Sequence, residues 1–255
     1  MKGALVTFRK ELLSYFVSPV SWVILVVFYL WRGYELTSLS YSFALTNGDP
    51  DVFVSATYGV PSTFWMVILV PGILTMRCFA EERRTGSMEM LMTAPVTDGG
   101  VVVGKWLAAA VFYALLWLPT AGLLHLVEYE PFLGTDLSFG PVFAAYLGMF
   151  LLSALLLAFG CFASSLTDNV LLAALLAILF DFGLLTLPRR LGAELGELGQ
   201  NFYVRELLDK LDVNRNFSEW FARGLIDTSQ VAFYVGGIVF FLFLTTLGVA
   251  TRRVA

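Results

Sequence analysis

Four places in this chain of 255 residues hold residue types that could do chemistry. Gly99, Gly104 and Lys105 reproduce G-x-x-x-x-G-K, the start of a loop whose backbone N–H groups cradle phosphate. The next residue is Trp106, where magnesium needs a Ser or Thr hydroxyl, and no strand precedes the glycines. Nucleotide binding is therefore not expected in this chain, and Lys105 is expected to be an interfacial anchor. His125 is the single histidine and lies at the end of an apolar helical run, so no His-based metal cluster can form. A structural or interfacial role is expected of it. Asp181 sits in the apolar run ILFDFGLL. A carboxylate at mid-bilayer costs about 2.5–3.5 kcal/mol and has to face protein or water. The fourth place is FAEERRTGSMEMLMTAPV, Phe79 to Val96, a charged, Met-rich insert between two almost uncharged runs.

These residues have to be positioned by membrane-crossing helices. The chain is 58% hydrophobic and 14% charged, with a mean hydropathy of +0.78, far from the balance of a soluble domain. A run of about 20 apolar residues crosses a bilayer as a helix. Six such runs are present: Pro19–Leu39, Pro61–Phe79, Trp106–Leu126, Gly140–Cys161, Asn169–Leu187 and Val231–Thr251. The expected fold is an all-α polytopic membrane protein forming a single domain over 1–255, with no separate soluble part. Basic residues near span ends set orientation. With the N-terminus in the cytoplasm, the inner side holds Lys2, Arg9, Lys10, Arg77, Arg83, Arg84, Lys105, Arg252 and Arg253. The two short outer loops hold only Arg32, and the long outer loop balances six basic against seven acidic residues. Both termini are therefore expected inside. The start of the chain shows no small-residue cleavage site after its first apolar run, so no cleavable signal peptide is expected. Cys78 and Cys161 both fall at cytoplasmic span ends and are expected to be free thiols, packed as small hydrophobes.

Residues 2–16 read as an amphipathic helix lying along the interface. Leu5, Phe8, Leu12 and Phe16 form its apolar face, with Val6 and Leu13 at the edge, and Thr7, Lys10, Glu11 and Ser14 lie opposite. Residues 188–231 differ from the rest. Tyr203 to Val213 has helical spacing, and Asn216 with Glu219 fits a capping box. Phe217, Trp220, Phe221 and Leu225 make an apolar stripe, expected to be a partly buried, gate-like extracytoplasmic element. Fourth and fifth spans are joined only by SSLTDN, Ser164 to Asn169. In the insert, Ser87 suits an N-cap, Glu89 suits the first turn of a helix, and Pro95 ends it. Met88, Leu91 and Met92 then share one apolar face, adaptable to a groove on a partner or packed back on the bundle. Glu81, Glu82, Arg83 and Arg84 flank that face.

Asp181 and Arg32 lie at similar depths. With about 1.5 Å rise per residue, Arg32 is roughly 20 Å from Pro19 and Asp181 roughly 18 Å from Asn169. An Arg32–Asp181 ion pair is the expectation, within one protomer or across an interface between two. The alternatives are a protonated Asp181 bonded to backbone, and an Arg32 that snorkels or pairs with Glu35 at i+3.

The insert carries a resemblance. Glu82, Gly86, Ser87, Glu89, Leu91 and Pro95 stand at the places of E-x-x-x-G-[ST]-x-E-x-L-x-x-x-P, and the chain resembles ABC-2-type transporter permeases along essentially its whole length. ILTMRCFAEERRTGSMEML and NFSEWFARGLIDTSQVAFY are most similar to gliding-motility-associated (GldF-like) permeases. The resemblance implies a permease subunit in the bacterial inner membrane that pairs with a second copy or a related membrane subunit. It implies a dimer of cytoplasmic ABC ATPases as partner, which would bind ATP and magnesium, with no cofactor in this chain. A companion protein with a large extracytoplasmic domain is a further implied partner, alongside membrane lipid. No nucleic-acid pattern is present. The loop 80–104, with Glu81, Glu82, Arg83, Gly86, Ser87, Met88, Glu89, Leu91, Met92 and Pro95, would be the element seated on the ATPase. First and fifth spans line the dimer interface in such permeases, which would put Arg32 and Asp181 near the translocation path. Two other readings remain: an ion-coupled secondary transporter using Asp181, and a non-transporting scaffold of an envelope machine.

Overall fold

The structure, a computed structural model, describes residues 2–46, 57, 61–87, 97–127, 139–194 and 208–251. Among them, nine α-helices and a short 3-10 turn follow one another, and no strand occurs. They are α1 (Lys2–Val17), α2 (Pro19–Thr46), α3 (Pro61–Thr75), α4 (Ala80–Arg84), α5 (Asp98–Val127), α6 (Phe139–Leu166), α7 (Val170–Glu194), α8 (Val213–Glu219) and α9 (Thr228–Ala250). Residues 208–211 add a short helical piece before α8. The segments Thr63–Arg84, Asp98–Leu124, Phe139–Leu166, Val170–Gly192 and Thr228–Ala250 are each long and apolar enough to cross a membrane. The α1–α2 pair, bent by 67° at Ser18, passes the same test together and makes up to six spans. This is an all-α polytopic membrane protein.

Pro19 occupies the first position of α2, where its missing N–H costs no helical bond. The bend separates α1 from the first span, so α1 is an element of its own. It packs chiefly along α5. The faces of α1 differ from the sequence expectation. Thr7, Glu11, Leu12 and Tyr15 turn toward protein, while Leu5, Val6, Leu13, Phe16 and Val17 are exposed. The physical reason is the solvent. At a membrane, apolar side chains are at ease outside the protein, and polar ones need partners inside it. Close packing of α1 depends on Gly104 of α5. A Cβ there would lie 2.8 Å from the Ala4 carbonyl oxygen and 3.1 Å from Thr7 Cβ. Gly100 also faces Ala4, at an ordinary contact distance of 3.6 Å, so of the two glycines Gly104 is the one that close packing requires. The glycines that resembled a phosphate loop lie inside a helix.

The bundle is organised around α6, which packs against α9, α7, α3, α5 and the 3-10 turn. Its buried face is rich in small residues, among them Ala144, Gly148, Ala158, Gly160 and Ala163. These allow close approach of neighbours, the usual way helices associate where lipid is the solvent. One long apolar core runs through α2, α3, α5, α6 and α9 and includes Phe28, Tyr113, Leu152, Phe217 and Phe221. A smaller core of Cys78, Phe79, Val101, Val102, Cys161 and Val249 closes the end of the bundle that carries α4. By contrast, α7 and α9 direct much of their apolar surface away from the bundle, as with Leu171, Leu175, Leu179, Val239 and Phe243.

At the opposite end, α8 is capped by Asp212, whose side chain accepts from the Arg215 N–H at 3.0 Å. The capping box expected at Asn216 and Glu219 is not formed. The helix starts earlier, and the Asn216 amide donates instead to the carbonyls of Asp209 and Lys210 at 3.0 and 3.1 Å. Glu219 pairs with Arg215 at 2.8 Å. Gly224, at φ 83°, ends the 3-10 turn Phe221–Arg223 in the left-handed conformation that glycine adopts without strain. Asp227 then caps α9 through the Ser229 N–H.

Candidate functional site

Helix α3 stops at Thr75. Residues 76–79 form a turn, and the chain resumes as α4, which carries the charges of the insert. Three residues of α6 shape this break. The Thr75 side chain lies against Gly160, where a Cβ would collide with it. The sulfurs of Cys78 and Cys161 are 3.9 Å apart. The Ser164 hydroxyl accepts from the Phe79 and Ala80 N–H groups at 3.0 and 3.1 Å and donates to the Met76 carbonyl at 3.1 Å. These are the backbone groups that a helix end leaves unpaired. Ser164 therefore stabilises the break and fixes where α4 begins.

The charges of α4 are then tied to three other elements. Lys105, on α5, donates to Glu82 at 2.8 Å and to Glu11 of α1 at 2.9 Å, and its ammonium lies 5.4 Å from the centre of the Phe79 ring. Lys105 is 2% exposed, against 17% for Glu11 and 15% for Glu82. It is thus not a snorkelling anchor at the interface but the centre of a buried ionic triad. Arg83 reaches Asp168, in the loop between α6 and α7, at 3.5 Å. Arg77 and Glu81 make a half-exposed pair at 3.8 Å. Gly86, at φ 71°, turns the chain after α4, and the Ser87 hydroxyl is 3.0 Å from that of Thr85. Met88, Glu89, Leu91, Met92 and Pro95 lie outside the described residues. An open cleft of about 510 Å³ lies beside the triad, between α1, the start of α2 and the end of α3. Lys10, Glu11, Arg77 and Glu82 give it a charged end, and Ile24 and Ile73 an apolar end.

A second buried polar group lies deeper in the bundle. Arg32 is fully buried, pairs with Glu35 and donates to the Thr63 hydroxyl at 3.1 Å. Thr63 in turn donates to Glu35 at 2.9 Å, and the Arg32 guanidinium lies 5.2 Å from the centre of the Trp117 ring. Asp181 is equally buried, and neither carboxylate oxygen has a hydrogen-bond partner among the described residues. The expected Arg32–Asp181 pair is therefore absent within the protomer. Glu35 sits one helical turn away on the same helix, and Thr63 completes the site. Both Arg32 and Asp181 are closed off inside the single chain rather than displayed on its outer face.

The aromatic stripe divides in two. Phe217 and Phe221 are fully buried, stacked on each other at 6.1 Å, with Phe217 edge-on to Phe64 and Phe221 against Gly148 and Tyr234. Trp220 is 38% exposed and Leu225 53%. The first two plug the bundle end and the other two face outward.

The family described as ABC-2 family transporter protein matches residues 32–188. The chain belongs to that family. It is a membrane subunit of an ABC transporter, a permease rather than a catalytic chain. No curated protein matches it. The matched stretch of the permease begins at Arg32 and takes in α3, α4, α5, α6 and most of α7, so Glu82, Lys105, Ser164 and Asp168 fall inside it and Glu11 falls outside. Sequence reading of the permease singled out Glu82 and Arg83 but missed their partners Lys105 and Asp168, the Glu11 that shares Lys105, and the Ser164 that holds the backbone before them. One signal was available. Lys105 opens an apolar run with no acidic residue three or four positions away, so a buried ammonium there had to find its carboxylates on other elements.

Proposed function

We propose that this permease couples ATP hydrolysis on a cytoplasmic ABC ATPase dimer to export or mechanotransmission across the bacterial inner membrane, with α4 and the insert as the contact. In this reading both termini and the α4 end are cytoplasmic, α1 lies along the inner interface, and α8 with the Phe217–Phe221 plug stands at the outer end. The ATPase seat comprises Glu81, Glu82, Arg83, Gly86, Ser87, Met88, Glu89, Leu91, Met92 and Pro95. ATP and magnesium bind to the partner. The permease pairs with a second copy or a related membrane subunit, and a gliding-type system adds a companion with a large extracytoplasmic domain.

One observation carries the reading. The first residues of the insert are not a loose loop but are fixed to three elements at once, to α1 and α5 through Lys105 and to the α6–α7 loop through Arg83. A push on a loosely attached loop would be absorbed locally. A push on α4 moves the helices to which it is clamped, because a buried ammonium cannot cheaply leave both carboxylates.

The test is an affinity pull-down of the intact chain from native membrane beside a Glu89→Arg, Leu91→Arg variant. An ATPase subunit that copurifies with the intact chain and is lost from the variant supports the coupling role. Absence of an ATPase from both preparations would remove it and favour ion-driven transport centred on Asp181.

A further inference from the structure

The chain has two cysteines, separated by 83 positions, and the fold brings them together. Cys78 lies in the 76–79 turn and Cys161 on α6. Both are free and buried, with their sulfurs 3.9 Å apart. We propose that Cys78 and Cys161 form a reversible disulfide that locks the α3–α4 turn to α6 and so arrests α4. This rests on the coupling role of α4 given above.

The surroundings suit such a lock. Gly160, Cys161 and Ser164 each touch this part of the chain, at Thr75, Cys78 and Phe79–Ala80 respectively. Ser164 is one helical turn from Cys161 and already holds the turn by hydrogen bonds, which can open. A disulfide at the neighbouring position makes the same attachment covalent. A disulfide bond is about 2.05 Å long, so the sulfurs close by about 1.9 Å. Cys78 belongs to a turn rather than a regular helix, where a shift of that size breaks no helical ladder.

The thiols are also connected to the cleft. The Tyr15 hydroxyl donates to the Leu74 carbonyl at 3.0 Å, which leaves its oxygen free to accept from the Cys78 thiol at 3.7 Å. The Cys78 sulfur in turn accepts from the Cys161 thiol. Tyr15 and Cys78 both line the 510 Å³ cleft, so a small oxidant meets Cys78 first. With hydrogen peroxide, the Cys78 sulfur gives up its proton and attacks one peroxide oxygen. The O–O bond breaks, water leaves, and Cys78 carries a sulfenic acid. The Cys161 sulfur then attacks the Cys78 sulfur, the S–O bond breaks, and the hydroxyl departs as water with the Cys161 proton. Two thiols and one peroxide give one disulfide and two waters. A thiol reductant reverses the outcome by exchange.

The test uses the full chain with its ATPase partner in native membrane vesicles. Vesicles are treated with hydrogen peroxide, quenched and denatured, and thiols are counted with a mass-adding maleimide. Both thiols are expected to be tagged before oxidation and neither after it, with full recovery in dithiothreitol. Cys78→Ser should keep its single tag throughout, whereas Cys161→Ser should lose its tag to a Cys78 sulfenic acid and form no cross-link. A Cys78–Cys161 linked peptide found by mass spectrometry in the wild type makes this result independent of how well the variants fold. Permease-dependent ATP hydrolysis should fall about fivefold or more on oxidation of the wild type, return on reduction, and stay constant in Cys161→Ser. Two thiols still tagged after oxidation would overturn the disulfide, whatever the hydrolysis rate does. A disulfide that forms without changing permease-dependent hydrolysis would overturn the lock and leave the coupling role standing. Hydrolysis that ignores the permease even when reduced would overturn both, with the thiol count still reporting the bond itself.

Discussion

Replacing Lys105 with methionine removes the charge at the centre of the α4 site while keeping an unbranched apolar stem. Glu11 and Glu82 are then left facing each other without the ammonium that stands 2.9 and 2.8 Å from them. Removing one member of a buried ionic group costs about 3–5 kcal/mol, chiefly because the remaining charges stay buried. Glu11 and Glu82 retain 17% and 15% exposure, so water relieves part of that and the lower end applies, about 3 kcal/mol. At about 2–4 °C per kcal/mol for a chain of this size, Lys105→Met should lower Tm by about 6–12 °C. The assay is thermal unfolding of the full chain in nanodiscs, followed through its six tryptophans. The same reasoning makes a second demand. Glu11→Gln, Glu82→Gln, Lys105→Met combined removes every charge of the triad and should restore most of the loss, since a neutral replacement of a buried ionic cluster is often no less stable. Lys105→Met should also keep its ATPase on pull-down while losing control of its rate, because the docking residues are untouched. A Tm within about 2 °C of wild type for the single variant, or a triple variant as unstable as the single one, would refute the argument.

Three further outcomes follow from packing and burial. Gly104→Leu drives side-chain atoms into the Ala4 carbonyl and Thr7, so α1 should lift from α5 at a cost of about 1–3 kcal/mol, seen as new tryptic cleavage at Arg9 and Lys10. Phe221→Ala empties a fully buried site between Phe217, Gly148 and Tyr234 and should cost about 3–5 kcal/mol, whereas Trp220→Ala, half outside, should cost less than about 1 kcal/mol. Unfolding curves that rank the two the other way would show that the plug is not formed by Phe221. Asp181→Asn should leave Tm unchanged or raised, since neither carboxylate oxygen has a hydrogen-bond partner among the described residues, and a loss above about 1 kcal/mol would show that a partner exists.

The spans were legible in the sequence because length and hydropathy decide them, and the observed helices cover all six apolar runs within a few residues at most ends. The break after Thr75 was legible in part, since the apolar run ends where the charges begin. What the sequence could not show was pairing across elements. Arg32 has Glu35 one turn away, and local reading offered that partner, but a longer-range argument from depth favoured Asp181. Depth fixes only one coordinate of a helix bundle, and the rotation of each helix about its axis remains free. The α1 faces failed for a related reason. Periodicity finds two faces, but which residues meet protein depends on the solvent, and at a membrane Leu5, Val6 and Leu13 of α1 turn outward while Thr7 and Glu11 turn in beside Leu12 and Tyr15. Gly104 was visible only as part of a broken phosphate motif, because glycine spacing alone does not separate a loop around a ligand from a seat for a helix.

Both ends of the permease hang on one helix. At the α4 end, α6 holds the turn through Gly160, Cys161 and Ser164, and at the other end Gly148 receives the ring of Phe221. Its 28 residues extend roughly 42 Å, enough to cross the hydrocarbon core of a bilayer. Small residues at these contacts leave little slack, because an interface without long side chains cannot take up a shift by changing rotamers. Displacing α4 while the Lys105 triad holds therefore has two physical consequences available to it. Either the Ser164 clasp opens and α4 moves alone with α1 and α5, or the clasp holds and α6 carries the motion toward Phe221 and the outer plug. The ionic triad and the serine clasp act on the same short helix, and their relative strength decides which path the motion takes.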